Sequence, residues 1–308
     1  MRMDTRASET ATVLRLPGGR ELAFGEFGDG DGFPVLAFHG TPGLRLQLAP
    51  VDASARAAGV RLVVPDRPGY GHSDFVKHRR LTDWPADVQA IADHLGFDRF
   101  GLLGISGGGP HALACAALLP ERLTRVAVVS SPSPFGSDAA RAVMTPTARY
   151  LLPLARFTPL VRVGSASLVK AMRMAPPIVE GLERLMMPAV DRRVLSALRA
   201  EVEDEMRHTS FSSGRAAAQD IGLLVRDWGF EVERIGVPAT VWHGERDRVA
   251  RPFHARVLAS LIPGSTLRMC PDEGHLLFTR QAQTILEDLA GRRISSGSSV
   301  PGGHRRDN

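Results

Sequence analysis

The sequence predicts an α/β protein whose mostly parallel sheet is flanked by helices and interrupted by an inserted helical segment. Short apolar runs alternate with helical stretches up to Pro132, and the same alternation returns after about residue 230. The stretch between them is rich in Arg, Met and Pro and contains no convincing strand. With 308 residues, the chain is long enough for one large domain with an insertion, or for two modest domains.

The elements before the insertion begin with a hairpin. Two short runs, "TVLRL" (12–16) and "ELAFGEFG" (21–28), flank the turn sequence "PGG". Continuous apolar runs follow, as expected for strands that are buried on both faces of a parallel sheet. Strands are predicted over residues 34–40, 61–66, 100–106 and 125–131. Helices are predicted over residues 44–58, 81–95 and 107–119, the second with Thr82 as its N-cap.

The alternation resumes near the C-terminal end of the chain. The predicted elements there are a strand at 237–244, a helix at 252–261, a strand at 265–270 and a closing helix at 276–290. Together these elements divide the chain into a first core part at 1–132, a helical cap insertion at 133–230, a second core part at 231–292 and a tail at 293–308. We expect the cap to lie over one end of the sheet and the polar, low-complexity tail to be disordered.

The charge pattern does not favour a nucleic-acid partner. The formal net charge is +5, but the arginines that supply it are scattered among acidic residues, without a basic helix or interleaved aromatic residues. No apolar run is long enough to span a bilayer and no signal-peptide pattern opens the sequence, so we expect a cytoplasmic protein without membrane insertion. The two cysteines, Cys115 and Cys270, are too few for a disulfide framework or a zinc ligand set.

A glycine-rich junction, "GISGGGP" (104–110), follows the predicted strand 100–106. It could be a phosphate cradle or a sharp turn that exposes a serine. The spacing of Gly107, Gly109 and Ala112 fits half of a dinucleotide-binding fingerprint, but the next strand ends in "VVSSPS", without the acid that would bind a ribose. A P-loop would need a lysine, which this junction does not contain. The cradle is therefore disfavoured.

The sharp turn fits better, because "GISGG" (104–108) matches the nucleophile-elbow pattern Gly-x-Ser-x-Gly around Ser106. Its flanking glycines are needed because larger residues would collide with the neighbouring strand and helix. A nucleophilic serine also needs an acid and a base, in the chain order Ser, acid, His. Asp247 and His275 each follow the end of a predicted strand, where open α/β sheets place their ligands. Gly274 is expected to let the backbone turn so that the imidazole faces the serine.

Five motifs make the chain resemble an α/β-hydrolase over most of residues 20–290. They are "HGTPG" (39–43), "DRPGYGHSD" (66–74), "GISGG" (104–108), "HGERD" (243–247) and "EGH" (273–275). The resemblance implies the α/β-hydrolase fold and an oxyanion hole formed by the backbone N–H groups of Gly107 and Thr41. In such proteins the motif histidine, here His39, is usually a structural hydrogen-bonding residue. Asp66 and Ser73 are expected to be structural as well.

For such an enzyme we predict acyl transfer to water, with Ser106 as nucleophile, His275 as base and Asp247 holding the imidazole. The substrate is expected to be a small to medium carboxylic ester or a related acyl compound. The predicted steps need no metal or organic cofactor. Epoxide hydrolases and haloalkane dehalogenases resemble this scaffold but use aspartate as the nucleophile, and Ser106 argues against both.

Two alternatives stay open, and in each the partner is a small-molecule substrate or ligand. "HGTPG" is close to the "HGGPG" of proline iminopeptidases, which bind the substrate's amino terminus with cap carboxylates. Glu201 and Glu205 could supply such acids, although a solvated helix face is the more ordinary interpretation. The other pocket candidates are His39, Met172 and Met186. An α/β-hydrolase-fold ligand sensor with slow or no turnover is the alternative from another class, and in every case we expect a monomer or homodimer.

Overall fold

The computed structural model describes residues 11–137, 140, 187–198 and 214–292, and within them one eight-stranded sheet dominates. Its strands are β1 Thr12–Arg15, β2 Glu21–Gly28, β3 Phe33–Phe38, β4 Val60–Pro65, β5 Phe100–Ile105, β6 Leu123–Val129, β7 Ala239–Gly244 and β8 Thr266–Cys270. Their order across the sheet is β1-β2-β4-β3-β5-β6-β7-β8. The β1–β2 and β2–β4 pairs are antiparallel, and every other pair is parallel. The predicted hairpin and the mostly parallel sheet are therefore confirmed.

The described helices cover both faces of this sheet. They are α1 Asp52–Ala57, α2 Trp84–His94, α3 Gly109–Leu118, α4 Ala189–Ala197, α5 Arg215–Leu224, α6 Phe253–Leu261 and α7 Leu277–Leu289. The first half of the predicted helix at 44–58 is a 3₁₀ segment, Arg45–Val51, because Pro50 has no N–H with which to continue an α-helical ladder. The prediction that Thr82 is the N-cap of the helix at 81–95 is wrong. A 3₁₀ turn precedes α2, and its last residue, Asp83, accepts a 2.7 Å hydrogen bond from the backbone N of Arg80.

Two apolar layers explain why the parallel strands are hydrophobic throughout. Consecutive residues of a strand point to opposite faces. Leu102 packs in the cluster that contains Trp84 and Ile91 of α2, whereas Leu103 packs in the cluster that contains Leu286 of α7. Because both faces of β5 are covered, its apolar run is continuous and does not alternate with polar residues.

Two described helices, α4 and α5, fall inside the predicted insertion, and α5 packs on the core. Leu223 of α5 belongs to the same apolar cluster as Trp84. The proposed limits of the insertion stay predictions, and the tail at 293–308 lies outside the described residues. Where the structure describes the chain, no helix has both the length and the apolar character needed to cross a bilayer. The cytoplasmic location also stays a prediction.

Candidate active site

The turn after β5 holds Ser106 in a strained backbone conformation. Ser106 has a φ of 51°, in the left-handed region that L-residues rarely adopt, and α3 begins soon after it. A Cβ at Gly104 would overlap α3, and a Cβ at Gly108 would overlap the carbonyl of Phe38 on β3. The two flanking glycines are therefore needed for the steric reason that the sequence predicted.

Ser106, His275 and Asp247 form one hydrogen-bonded chain. Nε2 of His275 lies 3.0 Å from Oγ of Ser106, and Nδ1 of His275 lies 2.8 Å from Oδ2 of Asp247. Asp247 follows β7 and His275 follows β8, so both reach the sheet edge at which β5 ends before Ser106. The side chain of His275 is 12% exposed, whereas Asp247 is buried. The serine end of this hydrogen-bonded chain is thus accessible, while its aspartate end is shielded from water.

Asp247 is held by backbone and side-chain donors. Its Oδ1 accepts hydrogen bonds from the backbone N of Val249 at 2.8 Å and of Ala250 at 3.0 Å. Its Oδ2 contacts His275 and lies 3.2 Å from Nε2 of His243. Burial opposes the ionisation of Asp247, but hydrogen bonds from His243 and His275 outweigh burial and lower the pKa of this carboxyl group. The group is therefore a fixed negative charge behind the imidazole.

His243 is a neighbour of Asp247 that sequence analysis missed. The side chain is fully buried at the end of β7, and its Nε2 also lies 2.7 Å from the carbonyl oxygen of Ala250. Since a carbonyl oxygen only accepts hydrogen bonds, Nε2 of His243 carries a proton, which is directed toward the carbonyl oxygen of Ala250 and Oδ2 of Asp247. The available signal was the position of His243 at the start of the "HGERD" motif, four residues before the acid.

The loop after β3 lies beside Ser106. A Cβ on Gly40 would lie 3.6 Å from the Cβ of Ser106. A Cβ on Gly107 would overlap the side chain of Thr41 and lie 3.3 Å from its backbone N. Gly107 belongs to the 3₁₀ turn Ser106–Gly108, whose first N–H groups precede any helical partner. The two predicted oxyanion-hole residues are therefore close neighbours next to the serine.

A buried ionic cluster around Asp220 of α5 holds the side chain of Thr41. Oδ2 of Asp220 lies 2.8 Å from Nη2 of Arg67 and accepts hydrogen bonds from the hydroxyls of Thr41 at 3.2 Å and Tyr70 at 3.0 Å. Oδ1 pairs with Arg79. Burial alone would raise the pKa of Asp220, but the charges of Arg79 and Arg67 lower it far below its ordinary range. Sequence analysis assigned no role to Asp220, which fell inside the predicted cap.

His39 does not line a pocket, which corrects its inclusion among the pocket candidates. Its side chain has no accessible surface, its Nδ1 lies 2.8 Å from the carbonyl oxygen of Gly40, and its Nε2 accepts a hydrogen bond from the backbone N of Arg67 at 3.2 Å. Burial, followed by the charge of Arg67, lowers the pKa of His39 well below its ordinary value. His39 is thus a neutral structural residue. Ser73 is structural too, because its hydroxyl donates to the backbone oxygen of Asp66 at 2.7 Å.

The other pocket candidates are not placed by the structure. Met172, Met186, Glu201 and Glu205 lie outside the described residues. Among the residues that are described, no group of three His, Cys, Asp or Glu side chains is arranged to hold a metal ion.

Comparison with known proteins identifies the family. A family model for the alpha/beta hydrolase fold matches residues 34–152. The chain belongs to the α/β-hydrolase superfamily. This α/β-hydrolase is 27% identical over 228 residues to the 2-hydroxy-6-oxo-6-phenylhexa-2,4-dienoate hydrolase of Burkholderia cepacia, a match that covers 71% of the chain and 72% of the relative.

Solved structures show the same fold. The enol-lactonase from Burkholderia xenovorans LB400 superimposes with a TM-score of 0.66 at 22% identity, covering 91% of this chain and 98% of its own. An esterase from Exiguobacterium antarcticum superimposes with a TM-score of 0.68 at 20% identity, covering 92% of this chain and 98% of its own. Since its sequence relatives include named hydrolases, the chain is an α/β-hydrolase enzyme.

Proposed function

We propose that this α/β-hydrolase cleaves a small to medium carboxylic ester through an acyl-enzyme on Ser106. The observation that carries the proposal is the hydrogen-bonded chain from Ser106 through His275 to the buried carboxylate of Asp247. A serine hydroxyl is a weak nucleophile at neutral pH, and an adjacent imidazole that can take its proton removes that limitation.

The proposed reaction has two halves. His275 takes the proton of Ser106 at Nε2 while Oγ forms a bond to the ester carbonyl carbon, and the same proton then passes to the departing alcohol as the C–O bond breaks. Water repeats the attack on the acyl-enzyme with His275 as base, which releases the carboxylic acid and restores the hydroxyl of Ser106. Asp247 holds the imidazole through Nδ1 and stabilises the imidazolium in both halves.

The oxyanion of each tetrahedral intermediate would be bound by the backbone N–H groups of Gly107 and Thr41. The proximity of the two residues beside Ser106 supports this assignment. Removing one such donor typically costs on the order of 3 kcal/mol of transition-state stabilisation, so the placement of the Thr41 loop matters for rate.

A second candidate reaction is favoured by the names of several relatives. The relatives from Burkholderia cepacia and Klebsiella pneumoniae are named as hydrolases of 2-hydroxy-6-oxo-dienoates. Such compounds carry a ketone in place of an ester, so their hydrolysis must break a carbon–carbon bond beside that ketone. The same nucleophile and oxyanion donors could serve such a substrate, and the two classes are separated by assay.

A substrate panel tests the proposal. Wild type, Ser106→Ala and the control Ser260→Ala would be assayed with short p-nitrophenyl esters, a 2-hydroxy-6-oxo-dienoate and prolyl-p-nitroanilide, and labelled with a fluorophosphonate. Ser260 is a suitable control because it lies on α6 and donates to the carbonyl of Val257. We expect labelling and ester turnover in wild type and Ser260→Ala, and neither in Ser106→Ala.

Each other outcome has a definite meaning. Faster turnover of the dienoate than of any ester would favour carbon–carbon hydrolysis, and a preference for the prolyl amide would favour the iminopeptidase-like alternative. Labelling without turnover of any substrate would favour the ligand sensor. Ester hydrolysis that persists in Ser106→Ala would contradict the proposed nucleophile.

A further inference from the structure

Asp191 of α4 binds the backbone of the proposed base. Its Oδ2 accepts a 2.8 Å hydrogen bond from the backbone N of His275, and its Oδ1 accepts a 3.0 Å hydrogen bond from the backbone N of Leu276. Asp191 is 1% exposed, although it is separated from His275 by 84 positions in the chain. A buried carboxylate from the predicted insertion is thus attached directly to the loop that carries the imidazole.

One N–H group belongs to Leu276, the N-cap residue of α7, and the other belongs to His275, which directly precedes it. Such groups have no partner inside the helix, and the N-terminal end of a helix favours a negative charge. The carboxylate binds both N–H groups at once, one with each oxygen, in charge-assisted hydrogen bonds. Asp191 therefore caps α7 from another part of the chain.

Gly274 makes room for this contact. Its φ is not in the left-handed region, so the expectation that it is needed for a backbone turn is wrong. A Cβ at Gly274 would instead overlap the carboxylate of Asp191. The glycine before the histidine is required because the carboxylate occupies the space where a side chain would lie.

Four groups of His275 are held, and one of the four contacts comes from the predicted insertion. Its Nε2 and Nδ1 contact Ser106 and Asp247, and its carbonyl oxygen accepts a 2.9 Å hydrogen bond from the hydroxyl of Ser130 at the end of β6. These three partners follow strands of the core sheet. The backbone N, held by Asp191, is the fourth group.

We propose that Asp191 is a positioning residue for His275, so that reactive geometry at Ser106 depends on the docking of α4 onto this loop. The proposal rests on the proposed function of Ser106 and His275. The imidazole must lie within hydrogen-bond reach of the serine and at the correct angle, and a displacement of about 1 Å at a reacting group can cost about 100-fold in rate. Without the carboxylate, the backbone N of His275 loses its hydrogen bond to α4, which is the contact from the predicted insertion that holds this residue in place.

The experiment compares Asp191→Ala and Asp191→Asn with wild type, Ser106→Ala and the control Asp272→Asn. Asp272 lies in the same loop, but its side chain is 85% exposed and, within the part of the chain that the structure describes, pairs with the exposed Arg246 at 2.7 Å. Three quantities would be measured: kcat and KM on a p-nitrophenyl ester, with active sites counted by fluorophosphonate titration; the melting temperature; and the downfield proton resonance of His275 Nδ1. That resonance reports the His275–Asp247 hydrogen bond, which a purely structural helix cap would not affect.

We expect kcat per titrated site to fall by about 100-fold in Asp191→Ala, with KM little changed. Asp191→Asn keeps the shape and one acceptor oxygen, so it should lose less. The downfield resonance should shift or disappear in both variants and stay unchanged in Asp272→Asn. If Asp191→Ala does not fold, Asp191→Asn decides the matter.

The proposal is overturned if the Asp191 variants melt at lower temperature but keep the wild-type kcat per titrated site and the wild-type resonance. Asp191 would then be a helix cap without a role in positioning. Persistent turnover in Ser106→Ala would overturn the proposed function itself, so the two failures are distinguishable.

Discussion

Replacing Asp220 tests whether the buried ionic cluster stabilises the fold and the Thr41 loop. Five hydrogen bonds from four side chains converge on the two oxygens of Asp220. In Asp220→Asn, the amide presents one acceptor oxygen and turns two donors toward guanidinium groups that also donate. Arg67 and Arg79 keep their charges, and their side chains are 0% and 3% exposed.

The expected cost follows from that burial. Removing one partner of a buried ion pair typically destabilises a protein by about 3–5 kcal/mol, because the remaining charge has neither its partner nor water. We therefore expect Asp220→Asn to lower the free energy of unfolding by about that amount, measured by urea unfolding with tryptophan fluorescence. The hydroxyl of Thr41 must then compete with Arg67, Arg79 and Tyr70 for one acceptor oxygen, so kcat should also fall at a temperature where the variant is folded.

The matched control is Asp93→Asn. Asp93 also pairs with an arginine, Arg122, at 2.8 Å, but its side chain is 55% exposed. An exposed pair contributes at most about 1 kcal/mol, so this variant should resemble wild type. If the free energy of unfolding of Asp220→Asn were within about 1 kcal/mol of that of Asp93→Asn, and its kcat equalled that of wild type, the cluster would not have the role we assign to it.

Three further outcomes are expected. His243→Phe removes a donor from Asp247, so the pKa of Asp247 should rise, and urea unfolding should show a loss of about 1–3 kcal/mol from unsatisfied buried acceptors; an unchanged midpoint would contradict this. Gly107→Ala places a Cβ against Thr41 and should lower kcat on a p-nitrophenyl ester by about 100-fold, whereas wild-type kcat would show that the loop can yield. Burial lowers the pKa of three histidines, His39 well below its ordinary value, His111 to about 3 and His254 to about 4. Because these folded-state pKa values lie below the unfolded value, the contribution of each histidine to the free energy of unfolding is fully present above about pH 6.5. Below that pH it falls by about 1.4 kcal/mol per pH unit for each histidine. Urea midpoints that stay flat down to about pH 5 would contradict the assignment.

Much of the core could be predicted from the sequence because its signals are local. Leu102 and Leu103 belong to an unbroken apolar run, as expected for a strand that is covered on both faces. The glycines around Ser106 mark an elbow: a Cβ at Gly104 would collide with α3 a few residues later, whereas a Cβ at Gly108 would collide with the distant Phe38. Ser106, Asp247 and His275 each lie at or just beyond the C-terminal end of a predicted strand, and parallel strands bring such positions to one edge of the sheet.

The contacts missed by sequence analysis are those that depend on distant parts of the chain. A lone aspartate on a helix looks like a solvated residue until the fold places its partners, and nothing near Asp220 in the sequence indicates Arg67 or Arg79. Gly274 was noticed, but its neighbour, the carboxylate of Asp191, lies in a segment read only as cap. His39 was ambiguous because a motif residue beside a site can be buried or exposed, and only the packing of Arg67 decides between the two.

The two unpredicted carboxylates contact two different residues beside the serine. Asp220 binds the side chain of Thr41, which belongs to the loop proposed to bind the oxyanion, and Asp191 binds the backbone of His275, the proposed base. Both come from the segment that the sequence assigns to a substrate-covering cap, yet both contact proposed catalytic groups. A substitution in α4 or α5 that changes how the helix docks should therefore alter kcat even when it leaves substrate contacts intact. Differences in rate among relatives with similar cores can then arise from the insertion through the geometry of His275 and Thr41, as well as through the shape of the pocket.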